Sequence, residues 1–115
     1  MMIGIDIVSI NRIEKLIQKF GQKALKRFLN ENELKYIKSS QNAAGFWAAK
    51  EAFSKAIGTG IGSECSFYDI EIIKNQKGKP SFSSKTLKKF NLLNADLSIS
   101  HDGGFAIAAV IIQKK

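Results

Sequence analysis

At 115 residues, with 44% apolar side chains and eight phenylalanines, the chain can build one domain with a real core, at a size where oligomerisation would add stability. A formal net charge of +8 calls for an acidic or polyanionic partner. The single cysteine, Cys65, excludes an internal disulfide and reads as a small buried apolar side chain; with no apolar run of membrane-spanning length and no signal-peptide pattern at the start, a cytoplasmic protein is expected.

Met2 to Ile10 is rich in β-branched residues and predicts a strand. Asn11 is placed to cap a helix carrying Ile13, Leu16, Ile17 and Phe20, which ends at Gly21. A second short helix fits Ala24, Leu25, Phe28 and Leu29. Asn30 caps a third, with Glu33 completing a capping-box pattern, and Ser39 to Asn42 ends it. A long helix is predicted from about Ala43 to Ile57. Phe67 to Ile73 alternates like a strand, and Asn75 to Pro80 reads as a turn. Ser83 or Ser84 starts a helix through Leu87 and Phe90. Ala95 to Ser100 and Phe105 to Ile112 predict two strands joined at Asp102-Gly103-Gly104. The result is a single α+β domain over residues 1–115, without repeats or linkers.

The most informative stretch is Trp47 to Gly62, W-A-A-K-E-A-F-S-K-A-I-G-T-G-I-G. At about 100° per residue, Trp47, Glu51 and Lys55 step only about 40° apart around the helix. Phe46, Ala49, Phe53 and Ile57 form a separate stripe that should face the core. Glu51 is then free to meet a ligand, or to pair with Lys55 on a wet face. Lys50, about 100° from Glu51, is expected at the surface. Gly58, Gly60 and Gly62 close a helix instead of opening one, so a C-cap that lets the backbone approach a ligand fits better than a phosphate loop.

Four pieces in order carry a resemblance: Gly4-Ile5-Asp6 on the first strand, Ala48 to Gly60 on the long helix, Gly78-Lys79-Pro80, and Ser98-Ile99-Ser100-His101 before the last strand. Together they resemble the holo-[acyl-carrier-protein] synthases, the short bacterial 4′-phosphopantetheinyl transferases, from Ile3 to about Ile112. The resemblance implies a 4′-phosphopantetheinyl transferase-like fold, with N-terminal helices packed on a mainly antiparallel sheet. It also implies transfer of phosphopantetheine from coenzyme A to a serine of apo-acyl carrier protein, serving fatty acid biosynthesis. Asp6 and Glu51 then match the metal ligands. Mg²⁺ favours such a set, one or two carboxylates completed by water and phosphate oxygens. Asp6 otherwise reads as a carboxylate satisfied by backbone N–H groups or by Arg12. Lys55 matches the lysine that reaches the reacting phosphate, and His101 the histidine beside the pyrophosphate. Gly58, Lys79 and Pro80 fall near the nucleotide. The proton acceptor is open among Asp6, Glu51 and a metal-bound water. Relatives often carry Arg where this chain has Phe46, which puts one phosphate or carrier contact in doubt.

On helix geometry, Arg12, Lys15, Lys19, Lys23, Lys26 and Arg27 form a solvated face. With an acidic carrier protein as partner, Arg12, Lys19 and Lys23 become its landing site. Larger relatives contain two similar halves with the site between them. This chain has one, so a homotrimer with sites at its subunit interfaces is expected, with Ala106 to Ile112 as the candidate contact. The competing reading is a small basic nucleic-acid-binding domain. It leaves Asp6 and Glu51 without a purpose, and no aromatics interleave with basic residues on a strand.

Overall fold

The computed structural model describes residues 1–115. Alternation along its first strand decides how the molecule is put together. β1 (Met2–Ser9) turns Gly4, Asp6 and Val8 inward and leaves Ile3, Ile5 and Ile7 exposed on the other side. Over the inner side crosses α4 (Ser40–Ile57). A Cβ at Gly4 would overlap the carbonyl oxygen of Ala52, so only glycine permits this approach. That same approach carries Asp6 to the polar side of the helix.

β5 (Phe105–Lys114) pairs antiparallel with β1 on one edge and with β4 (Leu92–Asp102) on the other, giving the order β1–β5–β4. Ala106, Ala108, Val110 and Ile112 point inward and are fully buried against α4, whose Ala48, Ala49, Ala52 and Ala56 are buried as well. Small residues on both elements let helix and sheet pack at close range. Opposite them, Ile3, Ile5, Ile7, Phe105, Ile107 and Ile111 form an outer sheet face exposed by 38% to 69%. This corrects the expectation for the last strand. β5 is the central strand, its small residues already covered within the chain, and only its alternate residues, with those of β1, are available to a neighbour.

α1 (Ile10–Phe20) lies against α4, followed by α2 (Gln22–Lys26) and α3 (Glu31–Leu34). α1 starts earlier than expected: the Ser9 hydroxyl, not Asn11, accepts the Arg12 backbone N–H at 3.4 Å. The Asn30–Glu33 capping box forms as predicted. α4 begins at Ser40, because Ser39 Oγ accepts from the Asn42 N–H, so the polar run read as a stop is the start of the next helix.

The predicted strand Phe67–Ile73 forms only at its end. Ser66 and Asp69 build a reciprocal cap that winds Phe67–Asp69 into one 3₁₀ turn, drawing the backbone away from a sheet ladder. β2 (Ile72–Lys74) and β3 (Pro80–Phe82) then make a separate hairpin, its turn held by the Asn75 side chain accepting from Lys77 and Lys79 N–H. α5 (Ser84–Lys89), capped by Ser83, leads into β4, which starts at Leu92, before the expected Ala95, and shifts register between Leu92 and Asn94. No helix is long and apolar enough to cross a membrane.

Candidate active site

The inward parity of Asp6 and the Gly4 crossing bring β1 and α4 together at three charged groups. Lys55 Nζ lies 3.0 Å from Asp6 Oδ1 and donates to the Ile5 carbonyl at 3.1 Å. Glu51, one turn earlier on the same face, is half-buried. Burial, and then the Asp6 charge, push its carboxyl above the usual range, while Lys55 and Arg12 pull the other way. The Glu51–Lys55 pair offered as an alternative does not form: the lysine crosses to the strand instead. Asp6 is satisfied by that lysine, neither by backbone N–H groups nor by Arg12. Two carboxylates from separate elements, with the Asp6 charge adding to the proton affinity of Glu51, give an all-oxygen set open to further ligands, which suits a hard dication such as Mg²⁺.

Arg12 projects from α1 with its guanidinium 5.4 Å from the centre of the Trp47 ring. Trp47 is half-buried on the Glu51–Lys55 face, as the helical spacing predicted. Beside it, Arg12, Lys15 and Lys19 line a cavity of about 500 Å³ with Ser9, Asn11 and Leu16. Lys23 is exposed on α2, outside that cavity.

The remaining candidates lie elsewhere. Gly58 caps α4 in a left-handed conformation (φ 102°), the C-cap that the sequence called for. His101, on β4, is exposed, with Nε2 3.2 Å from the Gln41 carbonyl. It lines a cavity of about 170 Å³ with Asn42, Phe46, Lys74 and Pro80, which contains none of Asp6, Glu51 and Lys55. Lys79 is exposed in the adjoining turn, outside that cavity. Cys65 is fully buried, and burial pushes its thiol up to about 11, as expected for an inert side chain.

Two lysines were misplaced or missed by sequence reasoning. Lys50 is completely buried, not at the surface: α4 is covered on more than one side, and the ammonium sits 2.7 Å from Glu33 Oε1. Lys74 was not singled out. Its Nζ lies 5.5 Å from the centre of the Phe46 ring, in the His101 cavity, with no carboxylate within ion-pair distance. The only signal for it in the sequence was the missing Arg at Phe46.

Residues 2–110 match the family model of the 4′-phosphopantetheinyl transferase superfamily. The holo-[acyl-carrier-protein] synthase of Nautilia profundicola is 79% identical over 113 residues, covering 98% of this chain and 100% of that protein. That of Campylobacter curvus is 58% identical, covering 96% and 99%. Among solved structures, Helicobacter pylori holo-[acyl-carrier-protein] synthase in complex with coenzyme A superposes with a TM-score of 0.91 at 49% identity, covering 97% of this chain and 100% of that one. The Bacillus anthracis enzyme, in complex with CoA (3′,5′-ADP), gives 0.83 at 44% identity, covering 99% and 96%.

Proposed function

The chain belongs to the 4′-phosphopantetheinyl transferase superfamily, and on that premise we propose how its residues divide the reaction. The enzyme is a holo-[acyl-carrier-protein] synthase. It moves 4′-phosphopantetheine from coenzyme A to a serine hydroxyl of apo-acyl carrier protein and releases adenosine 3′,5′-bisphosphate, a step that serves fatty acid biosynthesis. We assign this activity to one transferase domain spanning residues 1–115.

The observation that carries the assignment of residues is the Asp6–Lys55 contact beside half-buried Glu51, which gathers two carboxylates and a cation from two elements. Asp6 and Glu51 would hold a Mg²⁺. Bound there, the ion would neutralise pyrophosphate oxygens as charge builds on them. Lys55, half-exposed on the same face, adds a point charge for the transferring phosphoryl group and steadies the departing nucleotide. His101 and Pro80 receive the nucleotide, with Gly58 and Lys79 at the edge of its path. Lys74 faces the ribose 3′-phosphate, the third phosphate of coenzyme A: it is the one charged side chain in the His101 cavity, and no acid neutralises it. Arg12, Lys19 and Lys23 meet the acidic carrier protein, whose approach their field would speed.

We further infer a homotrimer. Six large apolar side chains on one sheet face exceed what a monomer of this size keeps in water, and the His101 cavity and the Asp6–Glu51 pair face a ligand from different places on the surface. A neighbouring copy laid on that sheet face would complete each site. Light scattering should return about three times the 12.7 kDa chain mass, with activity per chain falling on dilution. A fully active monomer overturns the assembly.

The transfer itself is tested by incubating the protein with apo-carrier protein, coenzyme A and Mg²⁺ and weighing the carrier. A gain of one phosphopantetheine is expected. An unmodified carrier, with salt-sensitive DNA binding in its place, would return the charge of +8 to the nucleic-acid reading, which gives the paired carboxylates nothing to do.

A further inference from the structure

The most demanding polar group in the molecule lies one residue before Glu51. Lys50 and Glu33 are both fully buried, and they make five hydrogen bonds, one to each other and four to backbone groups. Lys50 Nζ donates to Glu33 Oε1 and to the Phe28 carbonyl, both at 2.7 Å, and to the Phe67 carbonyl at 3.0 Å. Glu33 Oε1 also accepts the Asn30 N–H at 2.9 Å, and Oε2 accepts the Ile72 N–H at 2.8 Å. A buried ion pair offsets its desolvation only when geometry and hydrogen bonding are this complete. What it gains here is position: one ammonium fixes the backbone of two residues 39 positions apart, Phe28 after α2 and Phe67 in the 3₁₀ turn.

The side chains of those two residues are the point. Phe28 meets Trp47 edge-on at 5.1 Å between ring centres, and Phe67 lies 4.9 Å from Trp47 and 6.1 Å from Phe28. These three rings form a shelf, and Arg12 rests on it, 5.4 Å above Trp47. The shelf is not closed core: Trp47, Phe67, Leu16, Ala24 and Arg27 leave a cavity of about 290 Å³ between them. An arginine held over an indole face keeps its charge while losing little of its range of attitudes, so shelf geometry sets where that charge points.

We propose that the buried Glu33–Lys50 pair is a positioning element for the carrier-protein side of the site, acting through the Phe28–Trp47–Phe67 shelf on the placement of Arg12. This rests on the transferase reading above. Neither residue touches substrate. The pair fixes the shelf, the shelf fixes Arg12, and Arg12 meets the carrier. Coenzyme A, received by His101, Pro80 and Lys74, is outside this linkage.

Glu33→Gln is the mildest cut, since the amide keeps an acceptor for Lys50 and for one backbone N–H. The carrier KM should rise about fivefold or more while the coenzyme A KM stays within about twofold. Emission from Trp47, the only tryptophan, should shift to the red as the shelf opens. In an Arg12→Ala background the effect of Glu33→Gln on carrier KM should vanish, because the two changes break one linkage. A variant with a lower melting temperature but unchanged carrier KM and Trp47 emission overturns the proposal. So does an undiminished KM effect in the Arg12→Ala background. If Glu33→Gln does not fold, Phe67→Leu opens the shelf without touching the ion pair, and an unchanged carrier KM there overturns the proposal equally. Wild-type protein that never loads the carrier would sink the transferase reading instead, and the Trp47 emission would still test the shelf.

Discussion

Two lysines five residues apart on α4 each meet one carboxylate, and the two pairs are built for opposite ends. Lys50–Glu33 has a contact of 2.7 Å with both side chains at 0% exposure; all three ammonium protons and both carboxylate oxygens have partners within the chain. Lys55–Asp6 is longer, at 3.0 Å, with the lysine 51% and the aspartate 15% exposed. Burial pulls the Lys50 ammonium below the ordinary lysine value, Glu33 acting against it. The first pair is saturated and holds four segments of backbone together. The second keeps spare capacity, next to a second carboxylate that burial and repulsion already push toward protonation. On one helix, then, completeness of hydrogen bonding separates a joint from the pair proposed for catalysis better than residue type does.

The largest expected effect tests that contrast directly. Lys50→Met strands a buried carboxylate, so the fold should lose about 3–5 kcal/mol. Lys55→Met removes a partly exposed charge and should cost about 1 kcal/mol or less, yet it should lower kcat more than it weakens coenzyme A binding. Urea titration of both variants, with turnover measured on the folded fraction, checks this. Equal stability losses would erase the distinction between the two pairs.

The next effect belongs to the open pair alone. Glu51→Gln should keep the fold and cut turnover by about 10²-fold, near 3 kcal/mol of lost charge stabilisation, and Asp6→Asn should behave alike. Near-normal turnover of either variant with Mg²⁺ present would take the carboxylates out of the mechanism.

The sequence exposed the open pair more readily than the closed one. Trp47, Glu51 and Lys55 share a face by simple helical arithmetic, and Asp6 sits at the right parity on an alternating strand. The Asn30–Glu33 capping box was legible too, because it is local. What it hid was the second use of Glu33. A residue can cap its own helix with one oxygen and also anchor a lysine 17 positions away, and only packing reveals the second task. Lys50 was read as a surface residue for the same reason: helical geometry gives angles around α4 but not how many sides of it are covered. Phe67–Ile73 failed otherwise. Its alternation is real, but the Ser66–Asp69 cap is a local competitor that wins over the ladder. The alanine-rich last strand read as a contact surface because its composition is apolar on both faces; its central place in the sheet assigns one face inward.

The smallest expected effect extends the contrast to a third lysine on α4's far side, one with no carboxylate at all. Lys74 is half-buried, lies over the Phe46 ring and shares a cavity with His101, so its charge is uncompensated within the chain. An isolated cation against an aromatic face is held in place but not satisfied, which leaves it to a ligand anion. If that anion is the ribose 3′-phosphate, Lys74→Ala should raise the KM for coenzyme A by about tenfold, near 1.4 kcal/mol. The same variant should leave the KM for 3′-dephospho-coenzyme A unchanged, since that substrate lacks only the group in question. Stability should hardly move, because no buried partner is stranded. The wild-type preference for coenzyme A over its dephospho form should therefore collapse in the variant. If both substrates lose equally, Lys74 acts on the shared pyrophosphate or on Phe46. If neither does, it is a bystander. In both cases the saturated and the open pair would remain the only lysines around α4 whose partners explain them.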